Sequence, residues 1–259
     1  MMSETHVAYR KDGSVGVIEL ARPEKLNALI PEMLVALEDI ADEIDRDTDI
    51  RAVVLTGQGN AFCVGADINV WSSLQPLDMW RRWVRDGHRI LDRLAALRQP
   101  VVSAVNGPAF GGGLELLAAT DIRVASDDAV FALPEASIAT CPGWSGTQRL
   151  ARQLGPCHVK YMALTGRRMS ATEALDIGLV QKLASKEQVF PEAMEVARQI
   201  CSLAPVSVQL TKQLIDAAWG EKTASTLEAM AGALAATTND AAEGLASFRG
   251  KRKAQYEGD

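Results

Sequence analysis

The amino-acid sequence predicts an α/β core over residues 1–195 followed by a helical domain over residues 196–259. Three observations carry that reading. Short apolar runs of strand length alternate with longer stretches of helical period as far as residue 183. Beyond that point every patterned segment has the helical period, punctuated by Pro205 and Gly220. Between them, the apolar run 101–105 leads through Gly111-Gly112-Gly113 into Leu114, Leu116, Leu117 and Ala118, all good helix formers. The front half repeats strand, strand, helix, although no repeat shows in the residues themselves.

The elements follow in order. Residues 15–20 form a strand after the Asp12-Gly13 turn signal, and residues 22–29 a loop. A helix over 31–45 opens on Pro31, which suits a first turn. Its apolar face carries Met33, Leu34, Leu37, Ile40, Ala41 and Ile44; its other face is acidic and reads as solvated. Residues 52–55 are a buried strand. Gly57 and Gly59 begin a dinucleotide fingerprint that fails, because Phe62 stands where the third glycine belongs. Residues 71–98 read as an amphipathic helical region, in which His88 stands alone as a surface or packed histidine. Strands over 121–124 and 129–133 carry the chain to Pro134-Glu135.

A helix then starts at Gly143 or Ser145. Gly143-Trp144-Ser145-Gly146 is no serine nucleophile elbow, since Thr147 replaces the required glycine and no histidine is near in sequence. Further helices are predicted over 158–164, 171–177, 191–203, 206–219, 224–237 and 241–253, with one strand over 179–183. The last helices are rich in alanine and poor in aromatics. They have too little core to stand alone easily, which points to packing on the chain's own core or on a neighbouring subunit.

The chain has 259 residues, enough for one large core and an appendage. A net charge of −6 disfavours nucleic acid as a partner. Cys63, Cys141, Cys157 and Cys201 show no paired spacing, so neither a metal site nor a disulfide framework is expected, and a cytoplasmic setting fits. Residues 1–13 are polar and resemble no signal peptide or membrane span.

The chemistry-bearing stretch is 100–135. Glycines at a strand-to-helix junction free the backbone amides at the positive end of a helix, a geometry that can hold a developing oxyanion. Glu115 sits one turn inside that helix and Glu135 follows a strand end. Two carboxylates flanking exposed amides suggest acid–base chemistry. Taken alone, the junction also fits a plain turn, with Glu115 complementing the helix dipole. A phosphate loop is excluded, because Leu114-Glu115 follows the glycines instead of Lys-Ser/Thr. A membrane span is excluded by Asn106, Pro108, the glycines and Glu115.

Three segments in register are more specific than any one of them. They are Asn106 to Glu115 with Pro134-Glu135, then Val54 to Gly57 with Ala61 to Ile68, and Pro142 to Leu150. From about Arg22 to the C-terminus the chain resembles the enoyl-CoA hydratase/isomerase (crotonase) superfamily. The resemblance implies a crotonase-like α/β spiral of ββα units with a C-terminal helical oligomerisation domain, assembled as a trimer or a dimer of trimers. It implies an acyl-CoA thioester substrate, with coenzyme A as part of that substrate and no separate cofactor or metal.

By the same resemblance the amides of Ala66 and Gly112 form an oxyanion hole, and Glu115 and Glu135 are the catalytic pair. Lys25, Leu26, Ala28, Val64, Asp67, Ile68, Pro134, Gly143 and Lys251 fall where the family meets the CoA moiety. Trp71 and Leu74 fall where it shapes the acyl pocket. Trp144 and Ser145 depart from the small residues usual there, which bears on acyl-chain length. Having both carboxylates favours an enoyl-CoA hydratase; an enoyl-CoA isomerase or another CoA-thioester lyase is the alternative. An RNA-binding branch of the family has a lysine-rich first helix, whereas residues 31–45 here are acidic.

Overall fold

The computed structural model describes residues 6–218, 220 and 223–258. Trp219, the predicted end of one helix, and residues 1–5 of the polar N-terminus lie outside the described residues. The chain forms two compact units, one ending at Gln209 and one running from Leu210.

Strands β1 (Val7–Asp12) and β2 (Val15–Leu20) form an antiparallel hairpin closed by Gly13, whose φ of 60 suits a residue without Cβ. Helix α1 (Pro31–Arg46) leads to β3 (Ala52–Gly57). Then come two short helices, α2 (Ile68–Trp71) and α3 (Pro76–Asp78), a π-helical turn (Met79–Val84), and α4 (Arg85–Ala95). Strands β4 (Val101–Val105) and β5 (Ala109–Phe110) precede α5 (Gly112–Ala118). Strands β6 (Ile122–Ser126) and β7 (Val130–Ala132) precede α6 (Gly146–Leu154) and α7 (Pro156–Thr165). The first unit continues with β8 (Met169–Ser170), α8 (Ala171–Asp176), β9 (Lys182–Ala184) and α9 (Val189–Cys201). Helix α10 (Pro205–Ala218) is followed by α11 (Thr223–Ala235) and α12 (Asn239–Arg249).

The larger sheet has the order β1-β2-β3-β4-β6-β9 and is parallel from β2 onward. A smaller sheet has the order β5-β7-β8. The chain thus alternates between sheets, β4-β5-α5 and then β6-β7-α6, as the strand, strand, helix reading anticipates. Parallel strands covered on both faces are apolar throughout, and every residue of β3 and β4 is buried. Alternate residues serve different cores. Val53, Leu55, Val101 and Val105 pack with Leu37 and Ile44 of α1 and Leu91 of α4. Ala52, Val54, Val102 and Ala104 pack with Val189, Ala193, Met194 and Ala197 of α9.

The structure differs from the sequence reading in three places. The single helical region over 71–98 is broken, since Pro76 opens a new helix and a π turn follows. Strands β1, β5 and β8 are added; β5 and β8 are two residues each, too short to show a period. The helical domain was expected from residue 196, whereas α9 covers a face of the sheet and the first unit extends to Gln209. Within the second unit, α11 has no buried residue. Among the described residues no helix is long and apolar enough to cross a membrane.

Candidate active site

Two asparagines gather the loops that build the site. The Asn27 side chain accepts from the Arg22 N–H at 3.0 Å and donates to the carbonyls of Gln58 (3.0 Å) and Ala61 (2.9 Å). Asn106 accepts from the Gly57 N–H at 3.3 Å and donates to the carbonyls of Gly59 (3.0 Å) and Ala61 (3.3 Å). Each amide side chain thus satisfies main-chain groups that no strand ladder serves. Asn27 sits in the left-handed region, φ 57, which asparagine tolerates better than most residues.

Ala66 pairs with Leu29 in a one-residue parallel bridge. The flanking residues make its bonds, Leu29 N–H to the Gly65 carbonyl at 2.7 Å and Asp67 N–H to the Leu29 carbonyl at 2.9 Å. The Ala66 N–H therefore points away from the bridge. Gly112 opens α5, so its N–H lacks an intrahelical acceptor. The two segments meet closely: a Cβ on Gly113 would lie 2.1 Å from the Cys63 carbonyl oxygen, and one on Gly112 only 3.5 Å from the Ala66 nitrogen. Two amides with no acceptor among the described residues thus stand close together, that of Gly112 at the positive end of a short helix.

Glu115, 2% exposed, lies in the first turn of α5. The Trp144 and Gly146 N–H groups each donate to its Oε1 at 2.8 Å, and the Gly143 N–H donates to Oε2 at 3.3 Å. Burial raises its pKa, while those three amides favour the anion. Glu135 follows β7 and begins a 3-10 turn, Glu135–Ile138. Its Oε1 lies against Gly111, where an added Cβ would come within 2.8 Å. Its buried Oε2 has no hydrogen-bond partner among the described residues. Burial, and then the charge of Glu115, push the Glu135 carboxyl up to about 7. The two environments differ in kind. Three donors face Glu115, whereas only the residue's own N–H favours the Glu135 anion.

Both carboxyls and both amides border one cavity of about 190 Å³. Of the other residues singled out in the sequence, Val64, Ile68, Trp71, Pro134, Gly143 and Trp144 border it too. Other expected residues stand elsewhere. Lys25 and Leu26 form an exposed turn beside buried Ala28. Asp67 is used structurally: it pairs with Arg22 at 2.7 Å, which holds its carboxyl below the usual range, and it caps α2 through the Asn69 N–H at 3.0 Å. Leu74 packs against the apolar core. Lys251 lies in the second unit and is exposed.

Met79, Trp83, Val84, Ile138, Thr140 and Cys141 also line the cavity and were not anticipated. The π turn explains the first three, because it shifts the helical phase on which a facing-residue argument depends. Trp144 is buried, and its size is accommodated by two glycines. A Cβ on Gly87 would lie 2.1 Å from its ring nitrogen, and one on Gly112 would lie 2.6 Å from its ring. Its Nε1–H donates to the Trp83 carbonyl at 3.2 Å, and the two indole rings are 5.1 Å apart. Gly87, costly inside a helix, was the available sequence signal for that seat.

The sequence profile described as enoyl-CoA hydratase/isomerase matches residues 10–259. The chain belongs to the enoyl-CoA hydratase/isomerase family. One relative in this family, the short-chain-enoyl-CoA hydratase of Clostridium acetobutylicum, is 37% identical over 255 residues, covering 97% of each chain. The mitochondrial enoyl-CoA hydratase of Pongo abelii is 38% identical, over 95% of this chain and 84% of its own. The crystal structure of an enoyl-CoA hydratase from Bacillus anthracis superposes with a TM-score of 0.81 at 34% identity, over 98% of this chain and 100% of its own. The fold is the crotonase fold of this enoyl-CoA hydratase/isomerase family, an α/β core with a C-terminal helical region.

Proposed function

We propose that this protein is an enoyl-CoA hydratase that adds water across a trans-2-enoyl-CoA to give a 3-hydroxyacyl-CoA. The observation that carries the reading is one cavity bordered by two unused amides and two carboxyls in contrasting surroundings. The Ala66 and Gly112 N–H groups take the thioester carbonyl oxygen. That polarises the conjugated double bond, makes C3 electrophilic and stabilises the enolate. Ionised Glu115 orients the water and accepts a proton from it as the hydroxyl adds to C3. Glu135 delivers the proton that C2 receives. This assignment follows the environments, since carboxyls whose surroundings separate their pKa values divide the acid and base roles. Coenzyme A belongs to the substrate, and no step needs a separate cofactor. Lys25 and Lys251 are the cations proposed to meet the CoA phosphates, and the chain is proposed to act as a trimer or a dimer of trimers.

Glu115→Gln and Glu135→Gln keep size and hydrogen bonding but remove proton transfer. Each is expected to lower hydration of crotonyl-CoA by about a hundred- to ten-thousandfold. The double variant should lose less than the product, because both groups act on one water and one substrate. The assay follows the absorbance of the conjugated thioester, with a 3-enoyl-CoA of equal length run in parallel. Full hydration by Glu115→Gln together with lost isomerisation would overturn the hydratase reading in favour of an isomerase.

A further inference from the structure

The hydrogen bonds that hold Glu115 come from main-chain groups, and their aim depends on one residue. The Trp144 and Gly146 amides both reach Oε1 at 2.8 Å, with Ser145 between them. Ser145 adopts the left-handed conformation, φ 70 and ψ 4. Side chains with a Cβ resist that backbone, so it persists only where the surroundings hold it.

Helix α4 supplies the hold. The Ser145 hydroxyl lies 2.5 Å from Nδ1 of His88, in hydrogen-bonding contact across 57 residues of sequence. The preceding residue of α4, Gly87, seats the Trp144 indole, whose N–H donates to the Trp83 carbonyl. The residue pair 144–145 is thus gripped twice by one element, by its ring and by its hydroxyl. Neither Ser145 nor His88 borders the cavity. Their contact is therefore not a nucleophile and its base, despite the residue types.

We propose that Ser145 and His88 are positioning residues for Glu115: the imidazole anchors the left-handed serine, and the serine keeps two amides trained on the carboxylate. The inference rests on the reading of Glu115 as the base of hydration. It predicts a rate effect without a binding effect, because no atom of the pair meets the substrate.

The test measures kcat and KM for crotonyl-CoA in variants whose folding is checked by thermal unfolding. His88→Leu and Ser145→Ala cut the same bond from opposite sides. Each is expected to lower kcat about tenfold while KM stays within about twofold. Combining them should add almost nothing. Ser145→Gly, placed in the His88→Leu background, should return most of the lost kcat, since glycine takes φ 70 without an anchor. Either folded single variant suffices if the other fails to fold. An unchanged kcat, a change confined to KM, or a His88→Leu loss that Ser145→Gly does not return overturns the proposal. Glu115→Gln in the same assay separates the two readings. Hydration retained there sinks the base assignment and this proposal with it. Hydration lost there, with normal kcat in His88→Leu and Ser145→Ala, sinks this proposal alone.

Discussion

Glu135 exchanges water for a pocket in which one of its oxygens meets no donor among the described residues. Its carboxyl rises from the usual 4.5 to about 7, chiefly through burial. The folded protein therefore binds that proton more tightly than the unfolded chain does. The resulting stability is complete below pH 4.5 and disappears as pH rises through about 7. Thermal midpoints should consequently fall between about pH 5 and 8, and Glu135→Gln should flatten that part of the slope. An identical slope in the variant would show that Glu135 does not titrate there. Trp144 makes a second case at this scale, because its ring occupies space beside Gly112 at the cavity wall. Trp144→Ala should raise kcat/KM for decenoyl-CoA relative to crotonyl-CoA by about tenfold or more. An unchanged ratio would place the limit on chain length elsewhere.

At the scale of elements, helix α4 carries more than its amphipathic pattern suggests. Gly87 lies in its interior, where alanine would ordinarily add about 0.5–1 kcal/mol. Here the sign reverses, because the new methyl would meet the Trp144 ring nitrogen 2.1 Å away. Gly87→Ala should cost about 1–3 kcal/mol in urea unfolding. Stabilisation instead would mean that the ring can move aside freely.

The same helix shows what was legible in the sequence. The apolar spacing of Ile90, Leu91 and Leu94 announces its buried face, and the three motif segments carried the amides and both glutamates to one cleft. Trp83 and Val84 were lost because a π turn breaks the period. Asn27, Asn106 and the His88–Ser145 pair were lost for another reason. Arg22 apart, their partners lie 31 to 57 residues away, at distances no local pattern encodes.

At the scale of the whole molecule, the second unit presents the remaining problem. Leu227, Leu234, Leu245 and Phe248 are exposed, Phe248 to 85%, and α11 buries no residue. These four side chains lie on two successive helices of the second unit, and contiguous exposed apolar patches usually mark an interface. Covering such helices with neighbouring subunits removes the apolar side chains from water at about 25 cal/mol per Å² of surface. On the trimer or dimer of trimers proposed above, the chain is expected to form a closed assembly of at least three copies, a rotationally symmetric ring that uses one heterologous contact repeatedly. Static light scattering of the purified protein should give three or six times the 27.8 kDa chain mass. Phe248→Asp should shift the assembly toward smaller species and make its thermal midpoint depend on protein concentration. A fully active monomer at assay dilution would overturn this expectation. It would leave the exposed leucines of α11 as a surface that some other molecule covers.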